Sequence, residues 1–158
     1  MNIRPYRPDD AEALSALYRR SVERLGPRHY DAAQVAAWAS LAPSPERLQA
    51  LNQDGRITLV AVDTADRPLA FSDLEANGHI HFFYCAPDAA GTGVAATLYA
   101  VLEARARDAG MMRLHSEASE GACRFFLKQG FVVLHRRDFE VAGVAIHNYA
   151  VEKRLADG

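Results

Sequence analysis

The run Ala89-Ala90-Gly91-Thr92-Gly93-Val94-Ala95-Ala96 constrains this chain more than any other segment. It holds nothing larger than valine. Before it lies an apolar, aromatic stretch, His79 to Ala86, closed by Pro87. After it, Val94, Leu98, Val101, Leu102 and Ala109 fall at helical spacing up to Gly110. A strand, a tight turn and a long helix follow from that pattern. The glycines let the backbone bend sharply and let a bulky group approach the main chain. The start of the helix offers unpaired N–H groups from about Thr92 to Ala96, at the positive end of its dipole. A phosphate or pyrophosphate suits that field. A turn with packing duties alone has the same composition.

The elements around this loop define the fold class. Asn2 to Arg7 reads as a short strand, and Pro8-Asp9-Asp10 starts a helix, with Asp as its cap, that carries Leu14, Leu17, Tyr18, Val22 and Leu25 to Gly26-Pro27. A second helix spans about Ala32 to Ser40 and holds Trp38; a third follows Ser44-Pro45 to about Asn52. Ile57 to Val62 and Pro68 to Glu75 are strands, and Asn77-Gly78 is a hairpin turn into the strand His79 to Ala86. Beyond the long helix come a strand from Met111 to Glu117 and a helix from Ser119 to Gln129. Two last strands, about Phe131 to Glu140 and Val144 to Arg154, end the pattern. The sum is a mixed α/β fold: a largely antiparallel sheet of six to seven strands, a central strand–helix–strand unit, and four to five helices.

With 158 residues the chain is read as a single domain, 1–158. A formal charge of −2 argues against a generic nucleic-acid binder. Two cysteines, Cys85 and Cys123, sit in apolar runs with no disulfide or metal spacing, so a reducing compartment is the simpler reading. No apolar run approaches the ~18 residues of a membrane span. The expectation is a cytoplasmic protein with no metal, no membrane and no nucleic-acid partner; a homodimer is left open.

Gly91-Thr92-Gly93-Val94-Ala95-Ala96 also satisfies a dinucleotide fingerprint with Ala in the last place. That scheme needs a parallel βαβ unit and an acid about 20 residues on. Here the strand before the loop belongs to an antiparallel meander, and Glu117 comes late. A nicotinamide oxidoreductase is the weaker alternative.

Two stretches together resemble the GNAT superfamily, the acetyl-CoA-dependent N-acetyltransferases. Ala90 to Ala95 is similar to the family's pyrophosphate motif, Arg/Gln-x-x-Gly-x-Gly/Ala; Gly93 and Ala95 match, and Ala90 stands where Arg or Gln is usual. Ser119-x-x-Ala122-x-x-Phe125-Phe126-x-Lys128-x-Gly130-Phe131 is similar to a second family stretch that begins with Asn and has Tyr at the place of Phe126. The resemblance implies transfer of an acetyl group from acetyl-CoA, as cosubstrate, to an amine of a small molecule or peptide. It implies a cofactor surface from Phe83, Tyr84, Cys85, Ala90, Gly91, Thr92, Gly93, Val94, Ala95, Ser119 and Phe126. In many members the tyrosine protonates the departing thiolate. Phe126 has no O–H, and this motivates a further alternative: a non-catalytic acyl-CoA-binding module of the same fold.

The chemistry needs a base for the amine, a donor for the oxyanion and a leaving thiolate. In the family the strands flanking the loop and helix splay apart around the thioester, so the backbone near Cys85 is the expected oxyanion donor. His81 is the first candidate base: an imidazole titrates near ~6.5, and strand alternation puts it on one face with Phe83 and Cys85. The bland reading of His79 and His81 is a pair of surface residues beside a hairpin. Glu117, closing its strand, is the second candidate. Tyr149 is an outside candidate for the missing acid. Tyr30 and Trp38, on the connection and helix after the first, are expected to shape the acceptor side.

Overall fold

Strands β2 (Ile57–Val62) and β3 (Pro68–Leu74) are buried along nearly their whole length. Both faces of this half of the sheet are therefore covered, and their runs of Val, Leu, Ala and Phe are what such a position demands. The computed structural model describes residues 1–155. In it, β1 (Asn2–Pro5), β2, β3 and β4 (Phe83–Cys85) form one antiparallel sheet in that order. A second sheet has the order β5 (Arg113–Ala118), β7 (Val144–Arg154), β6 (Val132–Val141) and is also antiparallel. Five α-helices accompany the seven strands: α1 (Ala11–Leu25), α2 (Ala32–Ala39), α3 (Pro45–Leu51), α4 (Val94–Asp108) and α5 (Glu120–Lys128). The expected class is what the chain adopts.

Local sequence explains most of the boundaries. Ser44 and Ser119 cap α3 and α5, each hydroxyl accepting the N–H three residues on. Asp31 and Gln34 form a reciprocal capping box at α2. The start of α1 differs from expectation. Pro8–Asp10 is a 3₁₀ turn, and the Asp10 carboxylate makes no capping bond to α1. It accepts the Arg7 N–H and two bonds of 2.8 Å from the Arg4 guanidinium. A buried arginine demands such a partner.

Tyr18 of α1 packs on Tyr84 and edge-on to Phe82. On α4, Leu98, Leu102 and Ala106 are fully enclosed, as are Leu114 of β5 and Val151 of β7. Each such large side chain contributes on the order of 1.5–3 kcal/mol of burial. No helix among the described residues is long and apolar enough to cross a membrane.

Main-chain bonds join the two sheets near His79 and His115. His79 and His115 form a parallel bridge, with Ile80 N–H on the His115 carbonyl at 2.8 Å and His115 N–H on the Gly78 carbonyl at 3.0 Å. The Ser116 hydroxyl adds a bond of 2.7 Å to the Ile80 carbonyl. Gly78 is required here twice over. Its φ is +89°, and a Cβ would stand 2.0 Å from the Arg113 carbonyl oxygen. Beyond this junction β4 and β5 belong to separate sheets, and residues of both line a V-shaped gap between them.

Candidate active site

The sequence pattern predicts a strand over His79 to Ala86; the regular strand is only Phe83–Cys85. The cause is Asp73. Its Oδ1 accepts the N–H of His81 at 2.9 Å and of Phe82 at 2.7 Å, in place of a β3 carbonyl. The ladder is thereby interrupted, while Asp73 N–H and the Ser72 hydroxyl both hold the Phe82 carbonyl. Asp73 is 2% exposed, and its Oδ2 accepts a bond of 2.8 Å from Arg56, whose guanidinium also reaches Asp54 and Glu75. With Phe82 and Ala86 bonded toward β3, alternation turns the N–H groups of Phe83 and Cys85 toward the V.

A narrow cleft in that V is lined by His81, Phe83, Tyr84, Glu117, Ser119 and Phe126, with Trp38 over it. Seven residues singled out in the sequence thus meet in one place. Their availability differs. Phe126 is 1% exposed and packs against Phe83, Tyr99 and Phe131. The Tyr84 hydroxyl accepts from the Trp38 indole at 3.4 Å, and burial raises its pKa. Burial pushes the Cys85 thiol up to about 11, so the sulfur stays protonated at neutral pH. The Ser119 oxygen accepts the capping N–H of Ala122, which leaves its O–H to donate.

His81 is held with its ring stacked on Phe82 at 4.1 Å and its Nδ1 3.4 Å from an Arg56 nitrogen. Arginine only donates, so the neutral ring keeps its lone pair on Nδ1 and its hydrogen on Nε2. Burial lowers its pKa, Asp73 opposes this, and the Arg56 cation lowers it further. Glu117 is held below the usual carboxylate range by His79, whose Nε2 lies 2.8 Å from Oε1. His79 is not the idle hairpin residue of the bland reading: Glu75 holds its other nitrogen.

The glycine loop has the geometry the sequence suggests, with one change. Gly91 and Gly93 have φ of +77° and +91°, and a Cβ on either would meet open space. A bulky group can approach there. Thr92 N–H is tied to the Ala89 carbonyl at 3.3 Å and its hydroxyl to the same oxygen at 2.5 Å, so Thr92 lends no donor. The first backbone bond of α4 runs from Thr97 N–H to the Gly93 carbonyl. The N–H groups of Val94, Ala95 and Ala96 precede it and lack helical partners. The Val94 side chain itself is core.

On the acceptor side, Tyr30 packs at a tilt against Trp38, ring centres 5.4 Å apart, and is not among the residues lining the cleft. Its hydroxyl donates to the His147 carbonyl and accepts the Glu120 N–H, both at 3.0 Å, which ties the α1–α2 connection to β7 and α5. Tyr149 donates to Glu120 Oε1 at 2.8 Å, so its proton is committed to that carboxylate. The roles of Asp73, Arg56 and Glu75 escape a reading of the sequence alone. One signal was available: aspartate is depleted in strands, and Asp73 interrupts the run Leu69-Ala70-Phe71-Ser72-Asp73-Leu74.

Comparison with known proteins matches residues 27–153 to the family described as Acetyltransferase (GNAT) domain. The chain belongs to the GNAT acetyltransferase family. This GNAT chain is 25% identical to the uncharacterized N-acetyltransferase YafP of Escherichia coli K12, over 94% of its own length and 93% of that protein. Its structure is similar to a GCN5-related N-acetyltransferase from Rhodopseudomonas palustris, at 34% identity with a TM-score of 0.88, covering 98% of this chain and 95% of that one. The PaiA N-acetyltransferase of Thermoplasma acidophilum, solved with coenzyme A, shares the fold at 19% identity and a TM-score of 0.76, over 98% of each chain. β4 is antiparallel to β3, and the strands on either side of α4 lie in different sheets joined by a single parallel bridge at His79 and His115, so the described residues do not form the continuous parallel β–α–β unit that the oxidoreductase reading needs.

Proposed function

We propose that this GNAT protein acetylates a primary amine of a small molecule or peptide by direct attack on the thioester of acetyl-CoA. One observation carries the reading: the unpartnered N–H groups at the start of α4 lie beside open space, and the V that begins at β4 holds the titratable groups. The main chain of Gly93 to Ala96 suits the pyrophosphate. Ala90 gives no side-chain donor where the family usually has one, so the main chain carries that contact. Bound there, acetyl-CoA supplies an activated acetyl group.

The chain's own residues then do the following. Glu117, an anion at the cleft, attracts the ammonium of the acceptor. His81, kept uncharged by partial desolvation and by Arg56, takes the proton that the amine must lose by way of water, the Arg56 N–H giving up its contact with Nδ1 as that nitrogen is protonated. The N–H of Cys85 donates to the oxygen on which negative charge develops. Phe126 packs against the cofactor and excludes water. With phenylalanine there and Tyr149 committed to Glu120, the thiolate leaves toward solvent unaided.

Calorimetric titration with acetyl-CoA tests the binding half. Release of free thiol, followed over a panel of aliphatic diamines, aromatic amines and dipeptides, tests the transfer half. Saturable binding and amine-dependent thiol release are expected; no heat of binding overturns the reading. Binding without turnover on every amine favours the acyl-CoA-binding module that Phe126 motivates.

A further inference from the structure

The reaction as written leaves one strong arrangement unused. His79 sits between two carboxylates on different sheets. Its Nδ1 is bonded to Glu75, just past the end of β3, and its Nε2 lies 2.8 Å from Oε1 of Glu117 on β5. A carboxylate offers only acceptors when ionised, and a neutral imidazole has one donor nitrogen. Both contacts are satisfied together when both ring nitrogens carry hydrogen, which makes the ring a cation between two anions. The bridge stands at the closed end of the V, where Gly78 to Ile80 meet His115. It is half-buried, where charge-assisted bonds are stronger than at an open surface.

We propose that His79 is a positioning residue for the acetyl transfer: as a cation bonded to Glu75 and Glu117, it joins the two sheets and fixes Glu117 as the oriented anion that receives the acceptor's ammonium. This rests on the acetyltransferase reading above.

The surroundings agree in sign. Glu117 chiefly, with Glu75, lifts the pKa of His79 to about 9 against the opposing effect of burial. Glu75 also accepts from Arg56 at 3.5 Å. The remaining neighbours are the His81 ring at 6.0 Å and the His115 ring at 5.1 Å. Both rings have lowered pKa values, chiefly from burial. They add no competing cation at neutral pH. Arg137 across the sheet acts on Glu117 in the same direction as His79. The imidazolium therefore persists below its raised pKa and is lost above it.

The test has two arms. In the first, protein carrying ¹⁵N-labelled histidine is titrated by NMR. Both His79 ring nitrogens are expected to show imidazolium shifts at pH 7.5, with a midpoint near 9. In Glu117→Gln the midpoint falls toward ~6.5, the ordinary histidine value. A neutral His79 at pH 7.5 in the unaltered protein overturns the proposal. In the second arm, His79→Gln and Glu75→Gln are assayed with the fastest amine of the panel at saturating acetyl-CoA. The amine KM is expected to rise about tenfold with kcat little changed, the pattern of lost binding that ground and transition states share. Calorimetric affinity for acetyl-CoA stays as it was. An unchanged KM in both variants overturns the proposal. If no amine is acetylated, the acetyltransferase reading has failed, and the NMR arm still decides whether the bridge exists.

Discussion

The backbone N–H of Phe82 lies 2.7 Å from Oδ1 of Asp73, where an unbroken antiparallel ladder would offer a main-chain carbonyl. One side chain thus ends the regular pairing of β4 with β3 and sets the path of His81. Asp73→Ala removes the acceptor of two N–H groups and leaves the Arg56 cation without its buried partner. A loss of about 3–5 kcal/mol is expected, the usual cost of breaking one side of a buried ion pair. Asp73→Asn retains an acceptor at Oδ1 and should lose less. Urea unfolding followed by circular dichroism ranks the two.

His81→Ala should lower kcat by on the order of 10²-fold, the contribution of a general base, while calorimetric affinity for acetyl-CoA is unchanged. The pH dependence has a definite sign. Burial depresses the pKa of His81, so the uncharged, proton-accepting ring persists below ~6.5. Kcat/KM should hold steady on acidifying through that value and fall only further down. A fall centred above it would remove His81 from the mechanism.

Gly93 adopts φ +91° at the start of α4 with open space where a Cβ would stand. Gly93→Asp therefore strains the backbone by only about 1–2 kcal/mol and leaves the fold intact. It places an anion where the proposed function puts the pyrophosphate. Calorimetry should detect no binding of acetyl-CoA, while thermal unfolding shifts by a few degrees.

Cys85→Ala should turn over normally. The group assigned to the oxyanion is the main-chain N–H, and the thiol, with its pKa raised to about 11 by burial, is inert. The roughly 10²-fold loss that follows removal of an oxyanion donor is expected to be absent. Steady-state kinetics and slow alkylation of Cys85 at pH 8 check this.

Arg4 and Asp10 form a pair with side chains only 8% and 9% exposed. Burial alone would raise the Asp10 carboxyl, but the Arg4 and Arg7 bonds bring its pKa below 3.8. Its stabilisation is present above the unfolded carboxyl value of ~3.9 and is lost as pH falls through the lower, folded one. Asp10→Asn should be less stable than the parent at pH 7, and the two should converge as pH falls through the lowered, folded-state value. Denaturant melts across that range give the difference.

Much of the molecule was legible in the sequence because it depends on neighbours along the chain. Helical spacing, the Ser44 and Ser119 caps, the Asn77-Gly78 turn and the Gly91/Gly93 bend are set by backbone sterics and bonds a few residues long. They were enough for the element order, the fold class and the bend of the glycine loop. The tertiary structure decided how the site is held. Asp73 takes hydrogen bonds from residues eight and nine positions on, and His79 meets a carboxylate 38 positions away. Tyr30 finds the Glu120 N–H across 90. Such partners are chosen by which strands come to lie side by side and by the need of buried polar groups for a counterpart. No local pattern of residues encodes that choice, so the interrupted β4, the joined end of the V and the fixed carboxylate within it became readable only in three dimensions.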